Sequence, residues 1–229
     1  MDLGLNIAAA GMVAEQVQVD QLSNDLANLQ TPGYKPASTV QMSFGALLLS
    51  NTSTGSPVGA IDSGVAAARG ATDLTQGTLH LTGRPLDFAI AGSGFFAVRT
   101  PAGVQYTRNG QFSTNAQGLL VDQSGNQVLA QNGAPIRVGA TNTVPATALG
   151  VFAVANPVQL GNNNFSGVAA GAATGTVHGG ELEASAVDET ATYTQMQADV
   201  DAYTAAQQSI ATIGQTLATS ASTVGLVNP

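Results

Sequence analysis

"NDLANLQTPGYK", residues Asn24–Lys35, packs three amide side chains (Asn24, Asn28, Gln30), a Thr-Pro-Gly turn and the single lysine of the chain into twelve positions. Upstream the pattern is regular. Leu5, Met12, Val19 and Leu26 recur every seventh residue, with Ala8, Leu22 and Leu29 interleaved and Glu15 interrupting. This spacing predicts a helix of about 25 residues with one apolar seam. Gly11 lowers its helix propensity, a cost that close approach of another backbone would explain. Thr31-Pro32-Gly33 ends it. Asn24 and Asn28 stand four apart on one face beside the seam, where their amides are expected to bond backbone groups of the C-terminal helix or of a neighbouring subunit and fix register.

The far end mirrors this beginning. Met196, Tyr203, Ile210, Leu217 and Val224 also recur every seventh residue, and Tyr193, Val200, Gln207, Gly214 and Ala221 are expected to complete the seam. A helix is predicted from about Asp188 to Ala218, with Asp188 and Glu189 suited to its positive end. Its Thr and Ser content makes it a poor solitary helix. The economical expectation is that the two terminal helices pack on each other, on other subunits, or both.

Between them the pattern changes. "LDFAIAGSGFFAVRT" (Leu86–Thr100) reads as two strands around Ala91–Gly94, and "VQYTRNGQFST" as two strands around an Asn109-Gly110 hairpin turn. "GLLVDQSGNQVLA" repeats the pattern around Ser124-Gly125-Asn126. A small antiparallel β domain is expected over 81–186, its part "LGNNNFSGVAAGAATGTVHGG" reading as loops or a weak edge. Residues 37–80 have the composition of a flexible linker that could order against neighbouring subunits. The fold class is therefore α+β: a helix over 1–36, a linker over 37–80, a central β domain, and a C-terminal helix over 187–229, with the helices paired as a coiled-coil-like inner domain.

Composition narrows the function. The 229 residues are 44% hydrophobic but only 5% aromatic and 9% charged, so small side chains are expected to fill much of the core. The net charge is −8, with six acids and no base in residues 181–229. Acidic ends disfavour nucleic acid and anionic membrane surfaces as partners. No apolar run is long enough to insert in a bilayer. The start lacks a cleavable secretory signal, as a protein exported by another route would. The absence of cysteine excludes thiolate metal sites and disulfides. His80 and His178 lack ligand spacing, and "GSGFF" lacks the lysine and helix of a phosphate loop. No catalytic, cofactor or metal site is expected, hence no enzyme. Arg84, Asp87 and Arg108 are candidates for a structural ion pair.

"AAAGMVAEQVQVDQLSNDLANLQTPGYK" (Ala8–Lys35) closely resembles the N-terminal signature of the flagellar rod, hook and hook-associated axial proteins. Gly11, Met12, Asn24, Leu26, Ala27, Asn28, Thr31, Pro32, Gly33, Tyr34 and Lys35 carry the match, and Asp25 stands where the family commonly has a second Asn. "TQGTLHLTGRPLDFAIAGSGFFAV" with "YTRNGQF" resembles the shared β-region signature of the family. "GGELEASAVDETATYTQMQADVDAYTAAQQSIATIGQTL" resembles its C-terminal helix, with Asp201-Ala202-Tyr203 in place of the usual Arg-Ala-Tyr.

The resemblance implies a structural subunit whose helices form an inner coiled-coil domain, stacking helically as a homo-oligomer beneath an outer β domain. It implies other rod and hook proteins and the flagellar type III export apparatus as partners, a place in the basal body spanning the periplasm, and export without a cleaved signal. "GVAAARGATDLTQGTL" favours a distal over a proximal rod type. A hook-type subunit and a stalked β-rich binding or adhesin module are the alternatives. The residues expected to carry assembly are Leu5, Met12, Val19, Leu22, Asn24, Leu26, Asn28, Leu29, Thr31, Pro32, Gly33 and Tyr34, with Met196, Val200, Tyr203, Ile210 and Leu217 at the far end.

Overall fold

Six of the seven phenylalanines fall between Phe88 and Phe165, and they dictate where the core forms. A computed structural model describes the fold of residues 2–43, 47–50, 57–61, 65–139, 141–161 and 163–225. The chain divides into two units. One comprises Ala27–Pro36 and Thr72–Val187; the other comprises Met1–Leu26, Ala37–Ala71 and Asp188–Pro229.

The first unit is β-rich. Its strands are β5 (Leu79–Leu81), β6 (Phe88–Ala91), β7 (Phe95–Thr100), β8 (Gly103–Thr107), β9 (Ser113–Thr114), β10 (Leu120–Val121), β11 (Gln127–Leu129), β12 (Val151–Gln159), β13 (Asn164–Ala172), β14 (Thr176–Gly179) and β15 (Glu181–Glu183). Seven join in the order β12-β13-β8-β7-β11-β10-β9, and β12 also pairs with β7, closing a ring of four strands. Phe95–Val98 of β7 is buried throughout. Successive side chains point to opposite faces, so Phe96 and Val98 enter one core and Phe95 and Ala97 another. Phe96 meets Phe112 edge-on at 5.3 Å, and Phe95 lies 5.2 Å from Phe165. The scarce aromatics are thus concentrated here, against the expectation of a core filled by small residues; each supplies a large buried area and a geometry that small side chains lack.

The turn around Ser124-Gly125-Asn126 joins β10 to β11 as expected, with Val121 opposite Gln127. Two other pairings differ. β6 pairs with β14 rather than β7. Asn109-Gly110 is not a hairpin turn, because β8 pairs with β7 and β13 while β9 pairs with β10. The Phe88 amide donates to the Gly110 carbonyl at 3.0 Å. A Cβ at Gly110 would stand 1.6 Å from the Phe88 carbonyl oxygen, so glycine serves close approach there. The small-residue stretch, expected as loops or a weak edge, forms β13 and the edge strand β14, because pairing with β12 and β6 satisfies its backbone.

The second unit holds α1 (Asp2–Ala27), α2 (Glu189–Gly225) and the strands β1 (Ala37–Ser43), β2 (Leu47–Ser50), β3 (Pro57–Ile61) and β4 (Val65–Thr72). β1 pairs with β4 and β2 with β3, so the stretch expected as a linker carries strand pairs; composition gave no sign of backbone pairing. α2 runs past the expected end at Ala218. The Ala191 amide donates to Asp188 Oδ1 at 3.0 Å, which caps its start. Among the described residues, no helix is long and apolar enough to cross a membrane.

Covered positions on α2 run Thr192, Met196, Asp199, Tyr203, Ala206, Ile210, Ile213 and Leu217, alternating steps of four and three. This heptad stripe contains Met196, Tyr203, Ile210 and Leu217 as expected but corrects their complement. Tyr193, Val200, Gln207 and Gly214 are exposed, one position off the covered row. The misplacement has a simple origin: the true complement contains Thr192 and Asp199, which polarity argues against. Ala221 and Val224 lie outside the described side chains. On α1 burial centres on Ala14 and Asp25, while Met12, Val19, Leu22 and Leu26 are half-buried and Leu5 is exposed. Asp25 accepts from Gln21 Nε2 at 2.9 Å and Asp199 from Gln195 Nε2 at 2.7 Å, so each buried carboxylate is served by an amide one turn earlier.

Candidate functional site: a buried ion clamp

α1 stops at Ala27, before the Thr-Pro-Gly turn. The Asn28 carbonyl accepts from the Thr31 amide at 3.0 Å, and Asn28 Oδ1 accepts from the Thr31 hydroxyl at 3.1 Å. This amide oxygen thus serves the turn that follows the helix. Pro32 cannot continue the helix. Gly33 then takes a φ of +65°, a left-handed conformation that disfavours any side chain. Its Cβ would also lie 2.4 Å from the Arg108 carbonyl carbon.

The turn aims the following residues into the β-rich unit. The Gly33 amide donates to the Glu183 carbonyl at 2.8 Å, and the Ala186 amide donates to the Tyr34 carbonyl at 3.0 Å. Asn163 Nδ2 donates to the Pro32 carbonyl at 3.0 Å, and Gln159 Nε2 to the Lys35 carbonyl at 3.2 Å. Tyr34 and Lys35 are buried, Lys35 completely.

Lys35 Nζ meets Glu183 Oε1 at 2.5 Å and donates to the Thr75 carbonyl. The other carboxylate oxygen, Oε2, accepts from Arg108 Nη1 at 3.1 Å, and Oε1 accepts also from the Gly77 amide at 2.9 Å. Arg108 Nη2 donates to the Gly92 carbonyl at 2.7 Å, and its guanidinium carbon lies 5.5 Å from the Phe95 ring centre. Strand pairing sets this geometry. β15 runs against β5 with Glu183 opposite Leu79, which brings Glu183 beside Gly77.

Two cations share one carboxylate away from water. Burial pushes the Lys35 ammonium below its ordinary pKa; its contacts with Glu183 oppose that shift and nearby Arg108 adds to it. Such a cluster stabilises only while complete, because removing the carboxylate strands two buried charges.

The clamp joins Lys35 of "TPGYK", Thr75 and Gly77 of "TQGTL", Arg108 of "YTRNGQF" and Glu183 of "LEAS". The four sequence blocks converge on a single point. Glu183, Thr75, Gly77, Gln159 and Asn163 were not anticipated, and Arg108 pairs with Glu183 rather than Asp87. Asp87 instead accepts from the Thr82 hydroxyl at 2.8 Å, with exposed Arg84 at 3.9 Å. The available signal was scarcity, since the single lysine of the chain and one of its five arginines stand in glycine-containing motifs and invite one acid to join them. Among the residues expected to carry assembly, the turn residues Thr31, Pro32, Gly33 and Tyr34 meet here. Asn24 is exposed and lines a cavity of about 290 Å³ with Val17, Asp20, Gln21 and Thr39. Asn28 and Leu29 are half-buried.

A carboxylate filled by its own lysine, arginine and backbone amide is a joint, and the fold around it defines a class. The chain has a helix towards each terminus and strands between them in sequence, and within the β-rich unit the residues after α1 are hydrogen-bonded to the segment that precedes α2. The family model of the flagellar hook protein FlgE/F/G D1 domain matches residues 89–160. The flagellar basal-body rod protein FlgF of Caulobacter vibrioides is 34% identical over 139 residues, covering 60% of this chain and 55% of that protein. FlgG of Bacillus subtilis is 30% identical over 226 residues, covering 82% and 86% respectively. FlgG of Agrobacterium fabrum is 34% identical over 193 residues, covering 71% and 72%. The chain spans just over half the length of the first of these relatives and most of the other two. It belongs to the flagellar basal-body rod protein family.

Proposed function

We propose that the chain is a structural subunit of the bacterial flagellar rod, stacking helically with copies of itself through its terminal helices to form part of the axial drive shaft. The observation that carries this reading is the second row on α2. Tyr193, Val200, Gln207 and Gly214 repeat every seven residues beside the covered stripe and remain exposed, with Tyr193 at 48% and Val200 at 42%. α1 carries a counterpart in Val13, Val17, Asp20 and Asn24, spaced four, three and four. A helix with two heptad rows can serve two neighbours, whereas a simple hairpin needs one.

The partners in this reading are further copies, other rod and hook proteins, and the type III export apparatus, at the basal body. The distal-rod type is preferred on the stretch "GVAAARGATDLTQGTL". The clamp has a supporting role: it anchors the residues that follow α1, Gly33 to Lys35, within the β-rich unit. The subunit acts by shape and contact rather than by catalysis.

The test is Val13→Asp combined with Val200→Asp. Both sites are exposed, so the purified variant keeps its helix content and thermal transition. It fails to form polymers and fails to restore motility to a strain lacking the gene. Normal rods built from this variant overturn the proposal.

A further inference from the structure

Asn109-Gly110 and Asn132-Gly133 are the two Asn-Gly bonds of the chain. Such a bond carries a latent intramolecular reaction, because glycine has no side chain to keep its amide nitrogen from the neighbouring carboxamide. In both, the asparagine Oδ1 accepts from the amide two residues on: Gln111 at 2.9 Å and Ala134 at 3.0 Å. That amide is placed to hold the negative charge that develops on Oδ1 when the carboxamide carbon is attacked. Local chemistry therefore ranks the two sites as equals.

The fold separates them by room. Gly110 is buried, its carbonyl accepts from the Phe88 amide at 3.0 Å, and a Cβ there would stand 1.6 Å from the Phe88 carbonyl oxygen. Phe88 is itself 1% exposed, in the larger apolar cluster. Turning the Gly110 peptide thus requires opening the core. Gly133 lies between β11 and β12, where a Cβ would meet nothing within 4 Å, and Asn132 is exposed. The bonds that hold this loop are short in range or exposed. The Gly133 amide donates to the Ala130 carbonyl at 2.8 Å and the Ala130 amide to the Ala134 carbonyl at 2.9 Å, while exposed Arg99 donates from Nη2 to the Gly133 carbonyl at 3.1 Å. A surface turn of this kind opens at little free-energy cost, whereas core peptides open only with the unit around them.

We propose that Asn132 is a site of spontaneous modification, converted through a cyclic imide to aspartate and isoaspartate while the protein stays folded, and that burial protects Asn109. The Gly133 nitrogen gives its proton to hydroxide and attacks Asn132 Cγ. The N–Cγ bond forms, the Cγ–Nδ2 bond breaks, and Nδ2 leaves as ammonia with a proton from water. A water molecule then opens the imide. Addition at Cγ leaves aspartate; addition at the Asn132 backbone carbonyl carbon leaves isoaspartate, with the chain running through the former side chain. Either product sets a new carboxylate beside the Gly133 carbonyl that Arg99 meets. The inference is independent of the rod reading.

The full chain is kept folded in heavy-oxygen water at mildly alkaline pH, then returned to ordinary water and digested. Opening of the imide fixes a heavy oxygen, so the label marks conversions made in the folded protein. Cleavage after Arg108 and Arg137 releases a single peptide, residues 109–137, that holds both Asn-Gly bonds, and its fragment masses assign the label. Asn132 acquires label about tenfold or more faster than Asn109. In denaturant the two convert at similar rates, because the core no longer shields Asn109. Asn132→Ser, at an exposed position, keeps the thermal transition and loses the label of the folded state.

Equal labelling of both asparagines in the folded chain, or faster labelling of Asn109, overturns the proposal. So does an Asn132 that converts only in denaturant, since the bonds of its own turn then protect it. If Asn132 leads by the same factor in denaturant, neighbouring residues rather than burial select it, and the structural ground fails.

Discussion

The β-rich unit and the helical unit spend their residues differently. The first gathers six phenylalanines around two apolar clusters and joins Lys35, Arg108 and Glu183 in one buried clamp. In the second, α2 covers a stripe of Thr, Met, Asp, Tyr, Ala, Ile and Leu and leaves a parallel row uncovered. Neither α1 nor α2 contains a lysine or arginine. One unit encloses its aromatic side chains in two clusters, and α2 of the other leaves one heptad row exposed.

Glu183→Gln tests this division most severely. Losing the shared carboxylate leaves two buried cations, at a cost of about 3–5 kcal/mol in the denaturant unfolding of the β-rich unit. A cost near zero means that water reaches the clamp. Gly33→Ala comes next, because φ is +65° and Arg108 backbone stands where the methyl would go. The expected loss is about 1–3 kcal/mol by the same assay, with little change in helix content.

Asp188→Ala removes the cap of α2 and costs about 1 kcal/mol, read as fraying of helix signal on mild heating. The β-rich unit should not register it. Lys35→Met is milder at neutral pH, within about 1 kcal/mol, because Arg108 still pairs with Glu183 and a buried charge is removed. Its signature is in the pH profile. The folded pKa of Lys35 is lowered from 10.5, so between the two values the unfolded chain holds more protons and wild-type stability rises with pH, levelling off above 10.5. Lys35→Met should lose that rise; a wild-type profile that falls across the same window contradicts the burial assigned to Lys35. Val200→Ser has the smallest effect on the monomer, within about 0.5 kcal/mol, yet weakens polymer formation in sedimentation. A large monomer effect would place Val200 in the covered stripe.

Much of this architecture is legible in the chain itself. The two heptad rhythms, the short strands after Leu86 and the turn around Ser124-Gly125-Asn126 all follow from local periodicity and turn chemistry. The errors share one cause. Asn109-Gly110 has the strongest local hairpin signature in the chain, yet β8 finds its partners in β7 and β13 because Phe95, Tyr106 and Phe165 pack together there. Val200 has a better seam residue's chemistry than Asp199, yet Asp199 is buried. Periodicity specifies a row of positions, while the identity of the covered row depends on what lies against it.

By itself the sequence determined the two helices, the strands between Leu86 and Ala130 and their order, because helix and strand formation respond to neighbours within a few residues. It also supplied the parts of the clamp as isolated charged residues in four motifs. Only the tertiary structure decided that those charges belong together. Lys35 and Glu183 are 148 positions apart, and a pairing at that separation comes from strand register, a left-handed glycine and burial acting jointly, none of which leaves a mark in local pattern. "NDLANLQTPGYK" therefore ends a helix by its local chemistry and anchors the β-rich unit by its tertiary contacts.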